Sequence, residues 1–303
     1  MSDFDLYTYE KLQEMNRNRN IRNFQAGIQW YSLIFAGWLM FCLIPDTMHA
    51  QATIGARALG LGQTGAALPD DHWALFQNPS LLRTDEYAIS FYGMRYAGIV
   101  EITDLAAAAS VDTPAGILGA GFHRYGFDLF NETRIRLGYK NRLELFHYGV
   151  ALNYSHVAQG GGYGSAGAIG IDAGLAAEAG SRVLVGARAV NLNQPAYGDS
   201  EEELPRELAI GVSGKMSDSL LALLELVKDV RFPLSVRSGV EARLIPALSL
   251  RAGITTDPLT WSLGLGIETG RLSLNFAVQN HQPLGLSPGI DFGLNNNSPL
   301  QGR

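Results

Sequence analysis

The chain has 303 residues, a formal net charge of -6 and a pI near 5.5. That balance excludes nucleic-acid binding, because phosphate backbones call for a basic face. Its 35 glycines run along the whole sequence rather than gathering in a linker, and Cys42 is the only cysteine, so a disulfide framework is excluded too.

In chain order, the first element reads as an export signal. Arg17, Arg19 and Arg22 form a basic n-region, Trp30 to Ile44 is an apolar run, and Pro45 breaks it ahead of small residues. Ala50, Gln51 and Ala52 fit the small-residue cleavage rule, so residues 1–52 are expected to be a signal peptide cut after Ala50 or Ala52. Asp3, Asp5, Glu10 and Glu14 against the single Lys11 are wrong for an n-region, and a start at Met15 removes that conflict. An inner-membrane anchor is the competing reading, since Ala26 to Ile44 is long enough to span a slightly thinned bilayer. Cys42 follows Met40 and Phe41, which are too bulky for a lipobox, and counts simply as a hydrophobic residue.

Residues 53–85 break the rhythm of the rest of the mature chain. From 86 to 294 the chain alternates with period two: Trp261, Leu263, Leu265 and Ile267 oppose Ser262, Gly264, Gly266 and Glu268, and Ile169, Ile171, Ala173 and Leu175 oppose Gly170, Asp172, Gly174 and Ala176. Each such run has one apolar face and one small or polar face. The runs predict about fourteen strands of roughly ten residues, the length a tilted strand needs to cross a bilayer. They fall at 86–100, 101–112, 115–126, 130–140, 143–157, 165–178, 180–191, 206–216, 217–229, 233–244, 246–255, 259–269, 271–280 and 284–294, with a polar tail at 295–303. In 217–229, Leu220 to Val227 is apolar on both faces, which leaves a short helix open there.

A soluble β-sandwich alternates in the same way. A transmembrane up-and-down β-barrel is favoured by the leader, by the even strand number and by aromatics near strand ends on the apolar face, namely Tyr87, Phe91, Tyr139, Phe146, Tyr154, Trp261 and Phe292. No stretch after the leader is long and apolar enough for a membrane helix.

The segment ahead of the barrel carries the most specific motif: Gly55-Ala56-Arg57-Ala58-Leu59-Gly60-Leu61-Gly62, then Asp70-Asp71, Ala74, and Asn78-Pro79-Ser80-Leu81-Leu82. It resembles the N-terminal signature of the FadL-like outer-membrane barrels, particularly the PorV/PorQ group. The PorV/PorQ likeness extends more weakly through Leu204-Pro205-Arg206-Glu207-Leu208. The resemblance implies that residues 53–85 form a hatch folded into the lumen, with Gly55, Arg57, Gly60, Gly62, Asp70, Asp71, Asn78 and Pro79 as its key positions. Ser80 stands where the family has Ala, and the chain is short for the superfamily, so long ligand-capturing loops are not expected. A barrel this wide leaves a lumen that its own side chains cannot fill. Asp70 and Asp71 are expected to pair with lumen arginines such as Arg134, Arg188 or Arg251. Gly253, Gly264, Gly266 and Ala277 on the inner face leave room, which favours a pocket.

Gly60-Leu61-Gly62-Gln63-Thr64-Gly65 formally matches a dinucleotide fingerprint, but it lacks the strand before it and the crossover after it. Gly160-Gly161-Gly162-Tyr163-Gly164 has no lysine for a phosphate and reads as a loop. Ser155 and His156 point to opposite faces, and His147 lies about 26 Å from Ser155 along a strand, so no nucleophile and base meet within one run. No histidine or cysteine cluster has zinc spacing. No enzyme activity and no cofactor are expected. The resemblance implies outer-membrane lipid as the surroundings and offers two functions. One is a passive conduit or binding site for a hydrophobic small molecule. The other is a PorV-like accessory of type IX secretion that binds partner proteins.

Overall fold

Alternation builds a wall only if each strand finds a neighbour on both edges, and here every one does. The computed structural model describes residues 53–83, 85–96, 99, 101–161, 164–198, 203–230, 232–281 and 285–296. The expected signal peptide and the end of the expected tail lie outside the described residues. The strands are β1 (Tyr87–Arg95), β2 (Thr103–Thr113), β3 (Gly116–Phe127), β4 (Phe130–Leu143), β5 (Phe146–Gln159), β6 (Gly164–Glu178), β7 (Val183–Val190), β8 (Glu207–Ser217), β9 (Leu220–Asp229), β10 (Leu234–Ile245), β11 (Leu248–Thr256), β12 (Leu259–Thr269), β13 (Leu272–His281) and β14 (Gly285–Asn296). Each pairs antiparallel with the next, and β14 pairs with β1, so the fourteen-stranded up-and-down barrel expected from the sequence is closed. Closure removes the unpaired edges that a membrane core cannot tolerate.

The outer face exposes Ile169, Leu175, Leu263, Leu265, Phe276, Ile290 and many similar side chains. An apolar surface of that extent belongs to a protein whose solvent is hydrocarbon. Tyr87 and Phe146 stand at the first residues of β1 and β5 and Trp261 near the start of β12, while Phe292 and Tyr154 sit further in along β14 and β5; all five are turned outward. The segment 217–229 contains a strand, β9. Its inward Leu221 and Leu223 are apolar because they pack against Ala58, Leu61 and Leu68 inside the barrel.

The end carrying the start of β1 and the finish of β14 is here the proximal mouth, and its connections are short turns such as 144–145 and 270–271. At the distal mouth one connection, 191–206, is much longer. It is needed because β6 pairs with β7 only from Ala173 to Glu178. Beyond that the loop covers the β6 edge: Leu192 N donates to Ile171 O at 2.8 Å, and the Asn193 side chain accepts from Ile171 N at 2.9 Å and donates to Ile169 O at 2.8 Å. One amide side chain thus replaces two ladder bonds that the short β7 cannot supply.

Candidate functional site

The core of the molecule is where residues 53–83 lie against the inward face of the wall. Trp73, Leu59, Leu61, Leu68 and Leu75 are among the largest fully buried side chains, and all five belong to this segment. It contains one short helix, α1 (Ala56–Gly60), and tight turns at Ala74–Phe76 and Pro79–Leu81. It contributes no strand to the barrel.

The wall makes room for it by omitting side chains. Gly119 faces Gly138 across β3 and β4, Gly149 faces Gly174 across β5 and β6, and Gly186 faces Gly211 across β7 and β8. Gly239 faces Gly253 across β10 and β11, and Ala277 on β13 sits between Gly264 and Gly289. A Cβ at Gly239 would lie 2.5 Å from Leu61 O, and one at Gly253, Gly186, Gly174 or Gly149 would strike the backbone or side chains of Gly62, Ala66, Asn78 or Pro79. The space expected at Gly253 and Gly264 is therefore not a pocket; hatch backbone occupies it. Gly266 is closed as well, by the Arg251 guanidinium.

The hatch glycines are the other half of this fit. Gly55 (φ 105) lets the chain turn beneath the Trp73 ring, and Gly62 (φ 68) lies where a Cβ would be 2.6 Å from Ser238 O and 2.7 Å from Ile254 N. Both combine a left-handed backbone with contact on the side where a side chain would go. Gly60 rests on Gly264, where an added Cβ would be 3.1 Å from its Cα.

Polar bolts hold the hatch to the wall. Arg57 grips Glu241 through Nε and Nη2 at 2.9 and 3.0 Å and donates to Pro69 O at 2.7 Å. Glu241 also accepts from Arg251 Nε at 2.6 Å, Arg251 donates to Asn275 at 2.7 Å, and Asn275 donates to Asp291 at 2.7 Å. Asp291 closes the circuit by accepting from Ala56 N at 2.7 Å and Trp73 Nε1 at 3.2 Å. A second anchor is Glu225, whose Oε2 accepts from Gly65 N at 2.6 Å and Ala66 N at 2.8 Å. Wall cations then reach hatch carbonyls: Arg136 to Leu75, Arg188 to Gln77, Arg237 to Gln63 and Lys140 to Leu82, at 3.2, 3.3, 3.1 and 2.6 Å. Asn78 caps its turn by accepting from Ser80 N at 3.1 Å and Ser80 Oγ at 2.7 Å, with Pro79 at the first position, and donates to Ala66 O at 2.6 Å.

The two acids behave differently from expectation. Arg134, Arg188 and Arg251 pair with Glu132 (2.6 Å), Glu207 (2.5 Å) and Glu241 (2.6 Å) instead of with Asp70 or Asp71. Strand carboxylates at inward positions outcompete them because they sit beside the arginines; Glu241 is the direct cross-strand partner of Arg251. Asp70 is exposed, with φ 54, and its carbonyl accepts from Arg83 at 2.7 Å. Asp71 is buried, and burial raises its carboxyl. Beside it, burial together with the charges of Arg83 and Arg57 lowers the His72 imidazole to about 3.

On the distal side of the hatch the lumen is polar and incompletely filled. A cavity of about 40 Å³ is lined by Thr53, Ile54, Phe76 and Gln77 of the hatch and by Arg134, Arg136, Arg188, Val190, Glu207 and Arg237 of the wall. His123 meets Asp104 at 2.8 Å higher in the same half, and Tyr96 donates to Asp104 at 3.1 Å. Glu225 and Glu241, which anchor the hatch, were not singled out by sequence reasoning. For Glu225 the signal was a carboxylate at an inward position of the apolar run Leu220 to Val227; Glu241 follows the inward Ser235, Arg237 and Gly239 and gives no such signal.

No protein-family model and no curated protein sequence matches the chain. Among solved structures, the P. putida toluene transporter TodX superposes with a TM-score of 0.61 at 11% identity, covering 80% of this chain and 99% of TodX. A TodX variant described as a monoaromatic hydrocarbon channel gives 0.59 at 12% identity, covering 80% of this chain and 98% of its own. A Pseudomonas aeruginosa FadL homologue gives 0.51 at 12% identity, covering 80% and 98%. At such identities the likeness is one of fold: this chain has the FadL-like barrel architecture.

Proposed function

We propose that this protein is an outer-membrane barrel that acts as a passive conduit for small hydrophobic molecules, closed by its own N-terminal hatch. The carrying observation is that the lumen is shut by a segment held through side chains and carbonyl bolts, without a strand in the wall. Such a plug is separable from the barrel, since subglobal units open at less than the global cost. The fold likeness to a toluene transporter and to a monoaromatic hydrocarbon channel supports the cargo class. By the rule that periplasmic turns are short and extracellular loops longer, the proximal mouth faces the periplasm. Export by a leader cleaved after Ala50 or Ala52 belongs to the same reading. In proteoliposomes the protein should admit toluene and an apolar dye faster than empty vesicles do, while glucose stays excluded. Equal rates for all three solutes with and without protein would remove the conduit reading.

One observation favours the PorV-like secretion accessory as a second reading: the hatch fills the glycine belt so fully that the resting barrel is sealed. A sealed barrel suits a docking role. Co-purification of a stoichiometric protein partner from native membranes, with no solute flux, would select it.

A further inference from the structure

Among the described residues, the distal cavity is surrounded by donors that lack acceptors, and one buried acceptor beside them, Glu225 Oε1, has no hydrogen bond either. Arg136 spends Nη2 on Asp172 (2.9 Å) and Nη1 on Leu75 O, and its Nε–H is buried without a partner. Arg188 spends Nη2 on Glu207 and Nη1 on Gln77 O, and Arg237 spends Nη1 on Gln63 O; both have buried, unpartnered Nε–H groups as well. Next to Arg136 and Arg134 across the β4–β5 ladder stand Asn153 and Ser155. They are 2% and 1% exposed, and neither the Asn153 amide nor the Ser155 hydroxyl has a partner. Guanidinium groups have only donors, so whatever completes this site must bring acceptor oxygens. The four guanidinium groups are balanced by four carboxylates, Glu132 on Arg134, Asp172 on Arg136, and Glu207 and Glu225 shared by Arg188 and Arg237, so the spare N–H donors rather than an excess of charge select the ligand's oxygens.

We propose that this cavity on the distal face of the hatch binds a small oxyanion or short carboxylate, held by Arg134, Arg136, Arg188 and Arg237. Charge-assisted bonds from guanidinium to oxyanion are the strong class of hydrogen bond. The lining has only Ile54, Phe76 and Val190 as apolar members, which leaves no slot for an acyl tail. The anion uses the spare Nε–H groups of Arg136, Arg188 and Arg237 and lies beside the charge of Arg134, whose Nε is spent on Glu132, and it takes none of the bonds to Leu75, Gln77 or Gln63. Occupancy therefore adds to the closed state and stabilises the seated hatch by mass action. This goes beyond the conduit reading, because a solute site on the sealed face holds whether or not the barrel conducts.

The test is titration calorimetry and thermal unfolding of the intact protein in detergent, with acetate, inorganic phosphate, decanoate, choline and glycerol as probes. Acetate or phosphate should bind saturably and raise the unfolding temperature, while choline and glycerol do neither. Decanoate should bind no tighter than acetate. The paired variant Arg134→Gln with Glu132→Gln removes one cation and its partner without touching a hatch bond, and should weaken anion binding about tenfold with the ligand-free unfolding temperature unchanged. Arg188→Gln should abolish binding, with some loss of hatch stability. No saturable anion binding would mean the cavity holds water only, and undiminished binding in the paired variant would put the anion elsewhere; either overturns the site. Tighter decanoate binding would overturn the solute class. Solute flux in proteoliposomes is read separately, so failure here leaves the conduit standing, and failure there leaves this site standing.

Discussion

The glycine belt and the distal vestibule are two zones of one inward face, and they solve the wide-lumen problem in opposite ways. In the belt, from Gly119 around to Gly289, the wall gives up side chains and hatch backbone fills the space. In the vestibule, the wall keeps long charged side chains and a cavity of about 40 Å³ remains between them. Small residues on an inner face therefore do not signal empty space. They signal that something else packs there, because interiors are close-packed whichever chain segment supplies the atoms.

The belt is most sensitive at Gly253. A leucine there would drive its Cβ into the backbone of Gly62, and neither strand nor hatch can yield. Gly253→Leu should cost more than the about 1–3 kcal/mol of ordinary overpacking and unseat the hatch, read as rapid tryptic cleavage after Arg57. The outward Gly93→Ala, whose Cβ would lie 3.3 Å from a Leu105 methyl, should leave proteolysis unchanged. Removing the Glu225 anchor is the next largest effect. Glu225→Ala strands Gly65 N and Ala66 N while Arg188 keeps Glu207, and should cost about 2–4 kcal/mol in urea unfolding. Glu225→Gln keeps an acceptor for the two amides and should cost less.

How much of this was legible in the sequence differs between the same two zones. The wall was readable because one side-chain period fixes both faces of every strand, and Leu265 outward with Gly264 inward follows from counting by twos. On that basis Leu265→Arg should cost about 2–4 kcal/mol, measured as stability in lipid vesicles, whereas Leu265→Phe should be neutral. The presence of a hatch came from the Gly55 to Gly62 and Asn78-Pro79 motif. Its fastening was not legible, because which carboxylate meets which arginine depends on cross-strand register. Glu241 faces Arg251 only once β10 and β11 are aligned, and that geometry leaves Asp70 at the surface. The double-sided apolar pattern of β9 was ambiguous for the same reason: its inner face is matched to Leu61 and Leu68, which sequence places far away.

The smallest effect expected here concerns pH and the hatch alone. His72 is held near 3 in the folded protein against an ordinary value of 6.5, so the seated hatch disfavours its protonated form. Its contribution is intact above pH 6.5 and lost as pH falls toward 3, a loss of about 2 kcal/mol by pH 5. Asp71 shifts upward and acts in the opposite sense, so the measurement belongs in an Asp71→Asn background. There, hatch proteolysis should accelerate on acidification, and a further His72→Gln change should flatten the profile.

The central claim is that residues 53–83 seal a barrel that stands without them. Deleting residues 55–82 and recording single-channel conductance in planar bilayers tests it most directly. The shortened protein should form a folded, heat-resistant barrel with conductance well above that of the intact protein, because the glycine belt is left open to water. Conductance unchanged from the intact protein, in a barrel shown to be inserted, would contradict it.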